Sequence, residues 1–255
     1  MLRATGRLLA GFLTAPSRSA YAAIPSDPVA LAKCLRPGDV LLVDGRQRVS
    51  TAIKYLTQST WSHAALCIAG RVAETGALPQ FVEADVVYGV RQVSLDLFAD
   101  THTRICRPVG LTTDETAQII DFTKSHIGDE YDLANVVDLA RYLFPTPPVP
   151  TSWRRRMIAL GSGEPTKAIC STLIARAFQS IRYPILPEIS QEIGNDPDCD
   201  GCVRDILHIR HHSLFTPRDF DVSPYFQVIK PSLEGGFDHR RLIWSEPSAR
   251  LRSAS

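Results

Sequence analysis

Residues 62–68 read Ser-His-Ala-Ala-Leu-Cys-Ile, and the prediction of a fold starts from them. Side chains of an extended strand point alternately to its two faces, so the even-numbered residues share one face and the odd-numbered ones, from His63 onward, share the other. All except Ser62 and His63 are small or apolar. The pattern predicts a strand whose single imidazole faces a cleft or a partner group.

Further strands are predicted before and after this stretch. Val40–Val43 is a short apolar run behind the turn Pro37-Gly38-Asp39, and Gln80–Val87 alternates a face containing Glu83 with an apolar face. The remaining predicted strands are Val90–Leu95, Thr103–Arg107 and Tyr225–Ile229. Because most of these strands follow one another closely, they predict an antiparallel meander.

Helical patterns dominate later in the chain. A capping box from Thr112 to Glu115 opens an amphipathic helix that Gly128 is placed to end. The other predicted helices are Val49–Leu56, Asp132–Phe144, which stops at the proline-rich connector 145–150, and about Lys167–Ile181. Strands followed by helices indicate the α+β class, with an antiparallel sheet packed against helices.

The sequence predicts one folded domain between two flanking segments. Residues 1–30 form an amphipathic N-terminal segment and linker, residues 31–232 the domain, and residues 233–255 a polar, disordered C-terminal tail. Within the domain, residues 184–212 are predicted to be irregular and polar.

The composition excludes several classes of function. The chain of 255 residues carries 28 basic and 27 acidic side chains, so a formal net charge of +1 predicts no attraction to nucleic acid. No apolar stretch approaches the roughly 18–20 residues of a transmembrane helix, and no glycine-rich phosphate loop is present. The six cysteines lie mostly in apolar runs, which favours cytoplasmic thiols over a disulfide scaffold. The sequence predicts no cofactor.

The N-terminus predicts peripheral membrane contact through residues 1–15. Leu2, Leu8, Leu9, Phe12 and Leu13 share one face of a short helix, and arginines flank that face. Three alternatives remain open: a cleaved signal, although Arg7 interrupts the apolar core, a frayed terminus, and a helix packed on its own domain.

Cys170 has the sequence setting of an activated thiol. It lies in the first turn of the predicted helix Lys167–Ile181, where unpaired N–H groups and the helix dipole stabilise a thiolate. A nucleophilic thiol needs a base and a group that orients the base, and His63 and Glu83 on neighbouring strands suit these roles. The alternatives are a packed cysteine, a satisfied semi-buried histidine and an exposed carboxylate.

Six motifs in register resemble those of a known family. They are Leu35-Arg-Pro-Gly-Asp-Val-Leu-Leu, Trp61-Ser-His-Ala-Ala-Leu, Val82-Glu-Ala, Gly128-Asp-Glu-Tyr-Asp, Ile169-Cys-Ser-Thr-Leu-Ile and Thr216-Pro-Arg-Asp-Phe. Over residues 35–230 the chain resembles the permuted NlpC/P60 cysteine hydrolases, the YiiX/YebB-like branch of permuted papain-like amidases. The resemblance implies a circularly permuted papain-like fold, with Cys170, His63 and Glu83 as catalytic residues.

The implied activity is hydrolysis or acyl transfer at amide, ester or thioester bonds through an acyl-enzyme thioester. The substrate class stays open between small molecules, peptide amides and acyl lipids. The alternative from another class is a non-catalytic domain that holds a peptide or lipid in the same cleft.

Two other clusters carry weaker signals. Cys199 and Cys202, with His208, His211 and His212 nearby, have the residue types of a zinc site, but their spacing is short and irregular, so a reversible disulfide or two inert thiols is favoured and no metal is predicted. The run Trp153-Arg-Arg-Arg156 suits either phospholipid headgroups or a solvated basic turn.

Overall fold

The computed structural model describes residue 15 and residues 24–85, 88–129, 169–193 and 203–243. The predicted helix Asp132–Phe144, the connector 145–150, the basic run 153–156, Cys199 and Cys202 lie outside these ranges, and so do residues 1–14.

An antiparallel six-stranded sheet forms the centre of the domain, with strand order β4-β3-β2-β1-β5-β8. Its strands are β1 Val40–Asp44, β2 His63–Ala69, β3 Gln80–Asp85, β4 Gly89–Ser94, β5 His102–Pro108 and β8 Phe226–Ile229. A separate two-stranded sheet contains β6 Glu188–Ile193 and β7 Val203–His208. The predicted meander is present from β1 to β4, but the prediction that β5 completes it is wrong, because β5 pairs with β1 on the other side.

Helices cover both faces of the sheet. Those in the described ranges are α1 Pro28–Cys34, α2 Arg48–Thr57, α3 Thr113–Ser125, α4 Ile169–Ser180, α5 Pro217–Val222 and α6 Pro231–Glu234, with 3-10 turns at Leu95–Phe98, His212–Leu214 and His239–Arg241. The predicted capping box of Thr112 and Glu115 opens α3, which ends at Ser125, before the predicted Gly128.

The alternation predicted for β2 and β3 separates two hydrophobic clusters. Ala64 and Leu66 of β2 pack with Val82 of β3 against α3 and α4. Ala65 and Cys67, one residue out of phase, pack on the opposite face with α1. The α+β class predicted from the sequence is confirmed.

The turn before β1 is held by a buried ion pair. Asp39 accepts hydrogen bonds from Nε and Nη2 of Arg107 on β5, both at 2.8 Å, and its second oxygen also accepts from the backbone N–H of Arg36 at 2.8 Å. Gly38 adopts φ +89°, a left-handed conformation that favours glycine. The Pro-Gly-Asp motif thus fixes the entry of β1 into the sheet.

Two predictions about irregular segments are wrong. Residues 184–212 contain the hairpin strands β6 and β7, whose pairing includes Ile189 with Leu207. Residues 233–243 contain the end of α6 and a 3-10 turn in which Asp238 accepts from the N–H of Arg240, so this part of the tail is ordered by local capping. The domain limits at residues 30 and 232 stay predictions.

Within the described ranges, no helix is long and apolar enough to cross a membrane. The described cysteines, Cys34, Cys67, Cys106 and Cys170, are free thiols, as the sequence predicts.

Replacing Arg107 by methionine should destabilise the fold strongly. The substitution leaves the Asp39 carboxylate buried and without its counter-charge, and such a loss costs about 3–5 kcal/mol. Urea unfolding followed by circular dichroism measures the change, with Arg240→Met as the control because Arg240 is exposed and its ion pair with Asp238 is long, at 3.9 Å. Equal stability of the two variants would contradict the structural role of the Asp39–Arg107 pair.

Candidate active site

His63 is the first residue of β2, and the residue before it fixes its backbone. The buried Ser62 hydroxyl accepts from the N–H of Gly45 at 2.9 Å and donates to the carbonyl of Val43 at 3.4 Å. A Cβ at position 45 would collide with the Ser50 and Ser62 hydroxyls, so any other residue there would displace them. These contacts hold the start of β2 against the end of β1.

A second anchor lies one residue earlier. The Trp61 indole Nε1 donates to Asp221 at 3.0 Å, and Nη1 of Arg104 donates to the other oxygen of the same carboxylate at 2.6 Å. Asp221 belongs to α5, which opens with a capping box between Thr216 and Asp219. The Thr-Pro-Arg-Asp-Phe motif therefore starts α5, the helix whose Asp221 is hydrogen-bonded to the segment that leads into His63.

Strand register brings His63 to Glu83. Glu83 pairs directly with Ala65, so His63 is its diagonal neighbour two residues away on β2. The His63 Nε2 lies 2.7 Å from Glu83 Oε2, and because an ionised carboxylate only accepts, the ring donates this hydrogen bond. The exposed fraction is 23% for the His63 side chain and 3% for Glu83.

Arg91 completes the surroundings of Glu83 and was missed by the sequence reasoning. It lies directly opposite Glu83 in the β3–β4 register, and its Nε and Nη2 donate to Glu83 Oε1 at 2.9 and 2.7 Å. Both carboxylate oxygens are thus occupied by cationic partners. The signal was available, since a hairpin between the predicted strands pairs these two charges.

Cys170 reaches the same place from the far part of the chain. It is the second residue of α4 as described, its side chain is 5% exposed, and it is one of the groups that raise the pKa of His63. Since His63 Nε2 is engaged by Glu83, Nδ1 is the ring nitrogen left for the sulfur. The next residue, Ser171, donates to the carbonyl of Phe215 at 2.7 Å and holds this end of α4 in place.

The electrostatics of the three groups are coupled. Burial alone would lower the pKa of His63, but the Cys170 sulfur and the Glu83 carboxylate outweigh it and raise the pKa of His63 to about 10. Burial favours the neutral acid at Glu83, but the hydrogen bonds and charges of His63 and Arg91 outweigh it and lower its pKa. The arrangement favours a charged imidazolium beside an ionised Glu83 at neutral pH.

The other described cysteines lack such an environment. Burial raises the pKa of both Cys67 and Cys106 to about 12, and burial also raises the pKa of Cys34. A thiol is reactive as its thiolate, so these three cysteines are expected to be inert near neutral pH.

A cavity of about 460 Å³ lies elsewhere, between the C-terminal half of α4 and the β6–β7 hairpin, lined by residues such as Gln179 and Leu207. Gln179 is nine residues from Cys170 along the helix, about 14 Å. The cavity is therefore separate from the His63 site.

The described ranges contain no group of three or more His, Cys, Asp or Glu side chains able to hold a metal. His208, which the sequence analysis considered as a zinc ligand, is the last residue of β7 and hydrogen-bonds to Ser190 at 2.6 Å. Cys199 and Cys202 lie outside the described ranges.

An antiparallel sheet that holds a histidine and a carboxylate, packed against a helix that carries a cysteine, is the arrangement of papain-like α+β proteins with permuted chain order. Residues 34–144 match the model of the permuted papain-like amidase enzymes of the YaeF/YiiX, C92 family. The predicted resemblance to the YiiX branch of permuted papain-like enzymes is confirmed, and the family is one of amidases, within the hydrolases. The matched range includes His63 and Glu83 and ends before Cys170.

Among solved structures, the crystal structure of metalloprotein YiiX from Escherichia coli O157:H7 is similar at 14% sequence identity and a TM-score of 0.45, covering 76% of this chain and 96% of that chain. No curated protein matches the sequence significantly.

The titration of His63 should depend on Cys170. In the intact protein the imidazolium persists until the pH approaches about 10, the raised pKa of His63, because the sulfur and Glu83 favour its charge. Its stabilising contribution is complete below the unfolded value of 6.5 and is lost as the pH rises through the folded value. Replacing Cys170 by alanine removes one of the groups that raise the pKa of His63 and should move the His63 titration to lower pH.

Nitrogen NMR of histidine-labelled protein measures this titration, and His63→Gln identifies the His63 signal. An identical His63 titration in the intact protein and in Cys170→Ala would show that the two side chains do not interact.

Proposed function

We propose that this chain is a thiol-dependent hydrolase in which Cys170 is the nucleophile, His63 the general base and acid, and Glu83 the group that orients His63. The observation that carries the proposal is the hydrogen bond of His63 with Glu83 at 2.7 Å, on strands that face the Cys170 sulfur, whose influence raises the pKa of His63. A nucleophile, a base and an orienting group within hydrogen-bonding reach are the geometric signature of such catalysis.

In the first step, the Cys170 thiolate adds to the carbonyl carbon of the substrate and forms a C–S bond. The carbonyl oxygen becomes an oxyanion, and the backbone N–H of Cys170 in the first turn of α4 is the proposed donor to it. The imidazolium of His63 then gives a proton to the leaving nitrogen or oxygen. The bond to the leaving group breaks, and a thioester acyl-enzyme remains.

In the second step, neutral His63 takes a proton from water, and the water oxygen attacks the thioester carbonyl. The C–S bond breaks, the acid product leaves, and the thiolate and imidazolium return to their starting states. If an alcohol or amine replaces water, the same step gives acyl transfer. Both outcomes require the same residues, so the proposal includes both.

We also propose that the chain is closely related to the NlpC/P60 enzymes. We propose an amide- or acyl-bearing substrate, either a small molecule, a peptide or an acyl lipid, and a cytoplasmic protein peripheral at the membrane. The alternative is a binding domain on the same fold, which predicts no selective reactivity at Cys170.

Replacing Cys170 by alanine should abolish hydrolysis while leaving the fold intact, because the thiol has no hydrogen bond that the sheet depends on. His63→Ala should lower turnover about 10²–10⁴-fold, the usual contribution of general acid–base catalysis. Glu83→Gln should lower it less than His63→Ala, because an orienting group contributes less than the base it orients. Turnover on a panel of peptide amides and N-acyl or O-acyl lipids, with circular dichroism of each variant, measures these effects.

Iodoacetamide labelling at neutral pH, read by peptide mass spectrometry, separates the enzyme from the binding domain. Fast labelling of Cys170 that His63→Ala suppresses supports the enzyme, with Cys67 and Cys106 as internal controls. Slow and uniform labelling of all cysteines would support the binding domain.

The proposed membrane contact through residues 1–15 has its own test. Deleting residues 1–20 should lower sedimentation with vesicles of phosphatidylcholine and phosphatidylserine and leave hydrolysis of a soluble substrate unchanged. A few leucines give modest, reversible attachment that anionic lipid strengthens through arginine. Vesicles of phosphatidylcholine alone are the control, and equal binding by full-length and shortened protein would contradict the proposal.

A further inference from the structure

We propose that Arg91 is a positioning residue that keeps Glu83 ionised and aligned while His63 gives up its proton. The inference rests on the proposed function, because it assigns a task that arises only if His63 alternates between its charged and neutral forms.

The strand register gives each carboxylate oxygen of Glu83 its own hydrogen-bonding partner. Arg91 is directly opposite Glu83, and its two nitrogens both donate to Oε1, at 2.9 and 2.7 Å. His63 donates to Oε2 at 2.7 Å. Since the fork of Arg91 occupies one oxygen from a fixed neighbouring strand, the carboxylate cannot rotate away from the imidazole without losing both of these bonds.

The need for Arg91 follows from the proton transfers. While His63 is an imidazolium, it compensates the buried charge of Glu83. Once His63 has protonated the leaving group, that compensation is gone, and a carboxylate with 3% of its surface exposed would then favour its neutral form. Arginine cannot deprotonate in proteins, so Arg91 supplies a constant counter-charge throughout the cycle.

The tautomer of neutral His63 depends on whether Glu83 keeps its negative charge. An ionised Glu83 accepts from Nε2–H, so the lone pair of the neutral ring lies on Nδ1, the nitrogen left for the sulfur and the water. A protonated Glu83 would instead donate to Nε2 and place the ring proton on Nδ1, and this tautomer cannot act as the base. Arg91 therefore acts on the reaction through Glu83, without a contact to the reacting atoms.

Tyr88 covers the guanidinium on its outer side. Cζ of Arg91 lies 4.4 Å from the centroid of the Tyr88 ring, while the arginine side chain is 33% exposed. The ring stacks on the flat cation and limits its motion, an interaction that lysine would not reproduce.

The experiment compares Arg91→Met in two backgrounds, the natural sequence and Glu83→Gln. The measured quantity is the rate of Cys170 labelling by iodoacetamide from pH 4 to 9, together with turnover where a substrate has been found. In the natural background, Arg91→Met should slow the reaction about tenfold and move its acid limb to higher pH, because Glu83 then protonates earlier. In the Glu83→Gln background, Arg91→Met should change the labelling rate less than about twofold, because residue 83 then carries no negative charge for Arg91 to compensate.

Arg104→Met is the matched control. Arg104 is 34% exposed and forms a comparable ion pair, with Asp221, so its effect should be the same in both backgrounds. Arg91→Lys should restore the position of the acid limb through its charge but recover only part of the rate, because the fork is lost.

The outcomes separate this inference from the proposed function. If Cys170 of the natural sequence shows no labelling that depends on His63, the proposed function fails and the role of Arg91 fails with it. If that dependence is present, three results would overturn the role of Arg91 alone: an unchanged rate, an unmoved acid limb, or equal effects of Arg91→Met in both backgrounds. The last result would mean that Arg91 only packs against the sheet.

Discussion

The Glu83 carboxylate imposes the strictest physical constraint on the site. A negative charge almost fully removed from water is tolerated only where several donors compensate it, because desolvation of an ion costs several kcal/mol even after relaxation. Here two donors come from β4 and one from β2, on either side of β3. Any change of register in either hairpin would break this compensation, so the ion network and the pairing of β2, β3 and β4 stabilise each other.

Two further carboxylates, Asp39 and Asp221, are likewise held by donors on other elements of the fold. Asp39 with Arg107 ties the entry of β1 to β5, and Asp221 with Trp61 and Arg104 ties α5 to the segment before His63. Each is a carboxylate shared between elements distant in sequence. The apolar clusters on the two faces of the sheet supply the general stabilisation, and these carboxylates determine which strand ends and helices meet.

The sequence predicted those parts of the fold that local patterns encode. Alternation in β2 and β3 gave the faces of His63 and Glu83, and the capping box gave the start of α3, because both depend on residues close in the chain. The β6–β7 hairpin was missed because Ile189, Val203 and Leu207 remain exposed. Neither strand has a buried face, so the sequence shows no clear alternation of apolar and polar residues there. Arg91 was missed because its role appears only once β3 and β4 are paired in register as a hairpin, and the two strands were considered separately.

The order of the site residues along the chain has a consequence for synthesis. His63, Glu83 and Arg91 belong to strands that neighbour each other in sequence, so the proposed acid–base half of the site is built from short-range hairpins, whereas the Cys170 sulfur arrives on a helix well beyond β5. The interval between Pro108 and Cys170 corresponds to roughly 3–12 s of translation at ribosomal rates. A nascent chain can therefore pair β1 to β5 while it still lacks Cys170, and the edge strand β8 joins β5 later. The proposed pair of Cys170 and His63 forms only when α4 docks, so until then the ribosome-bound protein cannot form an acyl-enzyme at Cys170.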